Sequence, residues 1–120
     1  MYGKFLAQFL AFGVIGWAVE SSLDGRPHGS KWLPAGVPFV PMYGLGGVLL
    51  GQLAPAIRDA PVLGRAGIYA VATTGFELLG CQLDRWAGKN SWDYGGGLCV
   101  DGRHTAAWTT LALIAEPFLR

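Results

Sequence analysis

The sequence predicts an all-α protein, a polytopic membrane helix bundle of about four transmembrane helices forming one domain over residues 1–120, with a proline-rich broken segment before the second helix. Three observations predict it. Phe5 to Leu23, Val37 to Ile57 and Ala66 to Leu83 are long and apolar, with Glu20 and Glu77 as their only charged residues. A helix rises about 1.5 Å per residue and the hydrocarbon layer is about 30 Å thick, so roughly 20 such residues span it. Charged residues make up 14% of the chain, against about 25% in soluble domains. Hydrophobic residues make up 52%, with five tryptophans, more apolar surface than a soluble domain this small can hide.

The first segment, Phe5 to Leu23, places Gly13, Gly16 and Glu20 at steps of three and four, on one face, with Trp17 beside them. Small residues on a face let another helix come close. Met1 to Lys4 followed by an apolar run has the look of a signal peptide, but Ala18-Val19-Glu20 fails the small-x-small cleavage pattern, so a retained helix is expected. Asp24 to Gly36 is turn-rich (Asp24-Gly25, Arg26-Pro27, His28-Gly29-Ser30), and Trp32 suits the return to a membrane interface. Pro34, Pro38 and Pro41 then forbid a regular helix. Because that stretch is still apolar, it is expected as an extended or re-entrant segment sheltered by protein.

The second helix is expected over about 42–57. Gly44, Gly47 and Gly51 line one of its faces, a close-packing signature expected to act within the chain. Arg58 to Pro61 is a turn. The third helix, about 66–85, carries one stripe of Ala70, Thr74, Glu77, Cys81 and Asp84, which must face protein or water. Trp86 to Arg103 reads as a loop, with Trp92, Asp93 and Tyr94 ahead of a glycine triplet. Trp and Tyr suit an interface there, and the glycines permit a sharp turn. The fourth helix, about 105–119, groups Thr105, Thr109, Ala112 and Glu116; its length of about 22 Å is short for a span.

Several classes are excluded. A net charge of +1 gives no attraction to nucleic acid. There is no CxxC, HExxH or GxxxxGK[ST], so no cofactor or ATPase of its own is expected. His28 and His104 read as loop or helix-end residues without metal-ligand spacing. Cys81 and Cys99 read as two unpaired thiols. Four spans put both termini on one side with Lys4, Arg58, Arg65 and Arg120, against Arg26, Lys31, Arg85, Lys89 and Arg103 on the other, which sets no orientation.

The candidate chemistry rests on intramembrane acids. A carboxylate in hydrocarbon costs at least a few kcal/mol and marks a functional candidate. Glu77, on the polar stripe, is the strongest. For Glu20 the alternatives of function and of helix-end solvation stay open. Glu116, near the C-terminus, is expected to reach headgroups or water. Tyr43 offers its hydroxyl to a ligand or to a neighbouring carboxylate, or serves as an aromatic anchor. Asp93 suits cation binding, pairing with Arg85 or Arg103, or loop capping. The expected substrate-binding set is therefore Glu20, Tyr43, Glu77, Trp92, Asp93, Tyr94 and Trp17, and no catalytic set is defined.

In order along the chain, Gly16-Trp17-Ala18-Val19-Glu20, then Pro38-Phe39-Val40-Pro41-Met42-Tyr43-Gly44-Leu45-Gly46, then Glu77, Gly80, Trp92-Asp93-Tyr94, Asp101-Gly102 and Trp108 resemble the motifs of a bacterial integral membrane family, putative ABC-transporter type IV. Two departures stand out: the Arg-Gly usual before the first motif proline is missing from 32–36, and Val37 stands where a glycine is usual. The resemblance implies a multi-pass protein of the bacterial inner membrane in contact with lipid. Four helices enclose little volume, so a homodimer or a partner membrane subunit is expected, and if the partner is a separate ATPase the energy comes from outside this chain. Three functions are compatible: a transporter or permease-like subunit with a carboxylate-lined cavity, a membrane-embedded enzyme acting on a lipid or lipid-linked substrate, and an accessory scaffold.

Overall fold

Each predicted apolar stretch becomes a helix, and the ends are set by recognisable stop and start signals. The structure is a computed structural model, and it describes residues 3–25, 33–34, 36–89 and 99–119. It contains α1 (Gly3–Asp24), α2 (Pro41–Ala56), α3 (Val62–Trp86) and α4 (Gly102–Leu119), with no strand among the described residues. α1 stops at Gly25, whose φ of 69° suits glycine. α2 starts with Pro41 in its first turn, where a missing N–H costs nothing. α3 ends in a Schellman motif: Gly88 N–H donates to Arg85 O and Lys89 N–H to Asp84 O, with Gly88 at φ 76°. α4 is capped by Asp101, whose Oδ1 accepts the backbone N–H of His104 at 2.8 Å.

The helices run up and down. α1 and α2 interlock through their glycine faces, as the small-residue pattern predicts: Gly16 lies on Tyr43, Gly13 on Phe39, Gly47 on Phe12 and Gly51 on Gln8. The proline-rich segment is irregular, as expected, and Val40 N–H donates to Gly13 O at 3.0 Å. Buried, non-helical backbone thus finds a partner on α1. α3 and α4 form the second pair, while α2 and α3 touch little. One apolar cluster, at the end where α2 and α4 begin, holds Val40, Tyr43, Cys81, Cys99 and Trp108, with Trp17 packed against it. The other holds Phe12, Ala54, Tyr69, Ala112 and Leu119.

Polarity is distributed inside out. Gln8, Glu20, Glu77, Asp84, His104 and Glu116 are buried. Leu10, Leu49, Leu63, Val71, Leu79, Ile114 and Phe118 are among the large apolar residues exposed on the four helices. Among the described residues one helix, over Gly3–Leu23, is long and apolar enough to cross a membrane. α2 has only 16 residues, and α3 and α4 carry buried acids that lower a hydropathy averaged over all faces.

The reading of Cys81 and Cys99 as unpaired thiols is corrected: they form a disulfide, with Cα atoms 5.8 Å apart. Cys81 lies near the end of α3 and Cys99 just before the cap of α4, so the antiparallel turn of the chain brings them together. A separation of 18 residues carries no such signal in the sequence.

Candidate functional site

The site is built where α1 ends and where α2 and α4 begin. Gly16 lets α2 come so close that Tyr43 packs directly on α1. One turn further along the same face is Glu20, fully buried. Tyr43 Oη donates to Glu20 Oε1 at 2.8 Å. Across from it, His104 Nε2 lies 3.2 Å from Glu20 Oε2, with both side chains fully buried. The other ring nitrogen, Nδ1, is 2.6 Å from Asp101 Oδ1. The four groups form a chain, Tyr43–Glu20–His104–Asp101, from the bundle interior to an aspartate whose side chain is 33% exposed.

Electrostatics follow from that geometry. The backbone N–H of His104 holds the Asp101 carboxyl below the usual carboxylate range; burial opposes this, and the His104 ring adds to it. The imidazole thus lies between two carboxylates, within hydrogen-bond distance of Asp101 on one side and in close contact with Glu20 on the other.

Glu77 is the next buried acid, 5% exposed. It lies close enough to Glu20 and Asp101 to feel their charge. The indole of Trp108 is beside it, yet neither Glu77 Oε1 nor Trp108 Nε1 makes a hydrogen bond of good geometry among the described residues. Trp108 is held by Tyr43, their ring centroids 4.7 Å apart. Because α2 and α3 splay, a groove opens between them, lined by Phe12, Tyr43, Leu50, Phe76, Glu77 and Trp108 among others. Its enclosed space is about 90 Å³, smaller than a site for a drug-sized ligand. Its walls are apolar and an acid sits on its floor. Among the described residues no group of three or more His, Cys, Asp or Glu is placed to hold a metal ion.

The model of the family described as "Putative ABC-transporter type IV" matches residues 7–116. The chain belongs to that family. No curated protein and no solved structure matches. The match to the type IV family spans all four helices and every residue of the chain Tyr43–Glu20–His104–Asp101.

Of the residues expected at the site of this type IV protein, Glu20, Tyr43 and Glu77 are brought together, and Trp17 is half-buried against the same cluster. Trp92, Asp93 and Tyr94 lie outside the described residues. The reading of Glu116 as a headgroup-facing acid is corrected. It is buried, with Arg65 Nε 2.9 Å from its Oε2, and Arg65 Nη1 also donates to Ala60 O at 2.6 Å. α3 begins at Val62, earlier than expected, and this places Arg65 on the helix facing the last turn of α4.

His104 lies at a helix end, as read, in the first turn of α4, and it is also a buried member of the site. Asp101, His104 and Trp108 add α4 to a site expected from the first three helices. The signal was present: His104, Trp108, Ala112 and Glu116 recur every four residues, and an Asp three residues before His104 fits an N-cap.

Proposed function

We propose that this chain is a four-span membrane subunit that binds a small solute in the groove between α2 and α3 and takes part in moving it across the bilayer. The observation that carries this is the inside-out arrangement. Glu20 and Glu77 are buried with His104 and Tyr43 beside a groove, and large apolar side chains are exposed on every helix. Taking a charge out of water costs several kcal/mol, and a packing role does not call for that cost beside an open groove. The apolar walls favour a solute with an apolar body, and Glu77 would meet a hydrogen-bond donor or a cation on it. Discontinuous structure at the start of α2 fits the way transporters build sites at broken helices. The chain carries no nucleotide-binding motif, so a separate ATPase or an ion gradient would supply the energy.

The test is uptake into right-side-out vesicles of a panel of labelled solutes, from small polar compounds to short amphiphiles. At least one should enter only when the chain is present. Glu77→Gln should reduce that uptake at least tenfold, with the amount of protein in the membrane unchanged. A panel indifferent to Glu77→Gln overturns the proposal. A second reading, an enzyme acting on lipid, is favoured by one observation: Leu49 on the groove wall is also exposed on the outer face, so the groove opens sideways. Turnover of a lipid extract by the purified protein without a gradient would select that reading instead.

A further inference from the structure

We infer that the end of the bundle holding Asp101, His104, Glu20 and Tyr43 faces the oxidising, extracytoplasmic side of the membrane, so the site is entered from outside. The inference rests on the membrane-spanning reading above and adds the direction, which charge counting leaves open. The observation is the Cys81–Cys99 disulfide. Reductants of the cytosol keep thiols reduced, whereas disulfides form and persist in the periplasm and beyond. Both sulfurs belong to the end where α3 stops and α4 starts, and Cys99 is two residues from Asp101.

That is the same end as the site. Glu20 lies in the last turns of α1, Tyr43 in the first turn of α2 and His104 in the first turn of α4, and all three are joined by short contacts. Asp101, the partly exposed member, is the outermost group. From it the chain of polar groups leads inward through His104 to Glu20. The start of α1, the end of α4, the turn over 58–61 and the Arg65–Glu116 pair then lie toward the cytosol.

The experiment uses the full chain fused at its C-terminus either to a green fluorescent protein, which folds in the cytosol, or to alkaline phosphatase, which needs its own disulfides and is active only after export. A third fusion carries the phosphatase after Lys89. The expected result is bright fluorescence and an inactive phosphatase at the C-terminus, with an active phosphatase after Lys89. In acid-quenched cells, a maleimide-coupled polymer should label neither Cys81 nor Cys99 until a reductant is added, and then both.

An active C-terminal phosphatase, equal signals from both C-terminal fusions, or thiols that react without reductant would overturn the inference. Alkaline extraction separates the two claims. A chain that stays in the membrane pellet with reversed fusions sinks the orientation alone. A chain released by alkali sinks the spanning reading beneath it.

Discussion

Replacing Gly16 with alanine tests how closely the site depends on the approach of α1 to α2. A Cβ at Gly16 would stand 2.5 Å from Tyr43 Cδ2 and 2.6 Å from its Cγ. Ordinary contact begins at 3.4 Å, so the two must separate by about 1 Å. Tyr43 Cβ is equally close. That atom rides on the α2 backbone and cannot swing aside, so the helix itself must move. The bond from Tyr43 Oη to Glu20, now 2.8 Å, would stretch beyond hydrogen-bond range. Overpacking costs about 1–3 kcal/mol, and losing a hydrogen bond to a charged group about 1.5–3 kcal/mol, so Gly16→Ala should lose about 3–5 kcal/mol. Gly75→Ala is the matched control. Nothing lies within 4 Å of a Cβ there, and alanine should stabilise the helix by about 0.5–1 kcal/mol. Unfolding in mixed micelles by titrated dodecyl sulfate, followed by circular dichroism, measures both. A Gly16→Ala protein as stable as Gly75→Ala would refute the close approach and the site geometry built on it.

Three further outcomes are expected from the same assay. Arg65→Ala should cost about 3–5 kcal/mol by removing the cation from buried Glu116, and Arg65→Ala with Glu116→Ala should recover part of that; a single variant within 0.5 kcal/mol of wild type, on the scale of about 0–1 kcal/mol for exposed pairs, counts against a buried pair. Asp101→Ala should cost about 1 kcal/mol at neutral pH as a lost helix cap. Because the folded carboxyl sits below its ordinary value, that contribution is complete above the unfolded value of about 3.9 and disappears as pH falls through the lowered folded value. Wild type and Asp101→Ala should therefore converge in acid, and a gap that widens there contradicts the cap. Reducing the disulfide, or replacing Cys81 and Cys99 by alanine, should cost about 3 kcal/mol, since it frees a loop of this length; an unchanged midpoint would show that the bond does not constrain the chain.

Much of this architecture could be read from short-range patterns. Apolar runs located the helices, and steps of three and four located the faces that pack, including Gly13–Gly16–Glu20 and Gly44–Gly47–Gly51. Tyr43 was read as meeting a ligand or a carboxylate, or as an aromatic anchor, and its hydroxyl meets Glu20. What escaped depends on contacts far apart in the chain or on one cap. Arg65 and Glu116 are 51 residues apart, and no local pattern pairs them. The fourth helix begins at Gly102 because the Asp101 carboxylate takes up a free N–H, and placing its start later put His104 outside the helix. Among the described residues, apolar composition alone marks only Gly3–Leu23 as long and apolar enough to cross a membrane, because α2 is short and hydropathy averages the inward acids of α3 and α4 with their outward apolar residues.

The uneven contacts between helices divide the molecule into two stiff hairpins. α1 is keyed to α2 by glycine, while α3 is riveted to α4 by sulfur at one end and by Arg65–Glu116 at the other. The seam between the hairpins is thinner than either pair: α2 and α3 barely meet across it, and α2 meets α4 where Tyr43 packs on Trp108. Rocking one hairpin against the other about the turn at Arg58–Pro61 would therefore widen or pinch the cleft without unfolding either half. Glu20 and Tyr43 would travel with the first jaw, and His104, Trp108 and Glu77 with the second. The 3.2 Å contact between Glu20 and His104 spans that seam and ties the two jaws at that end.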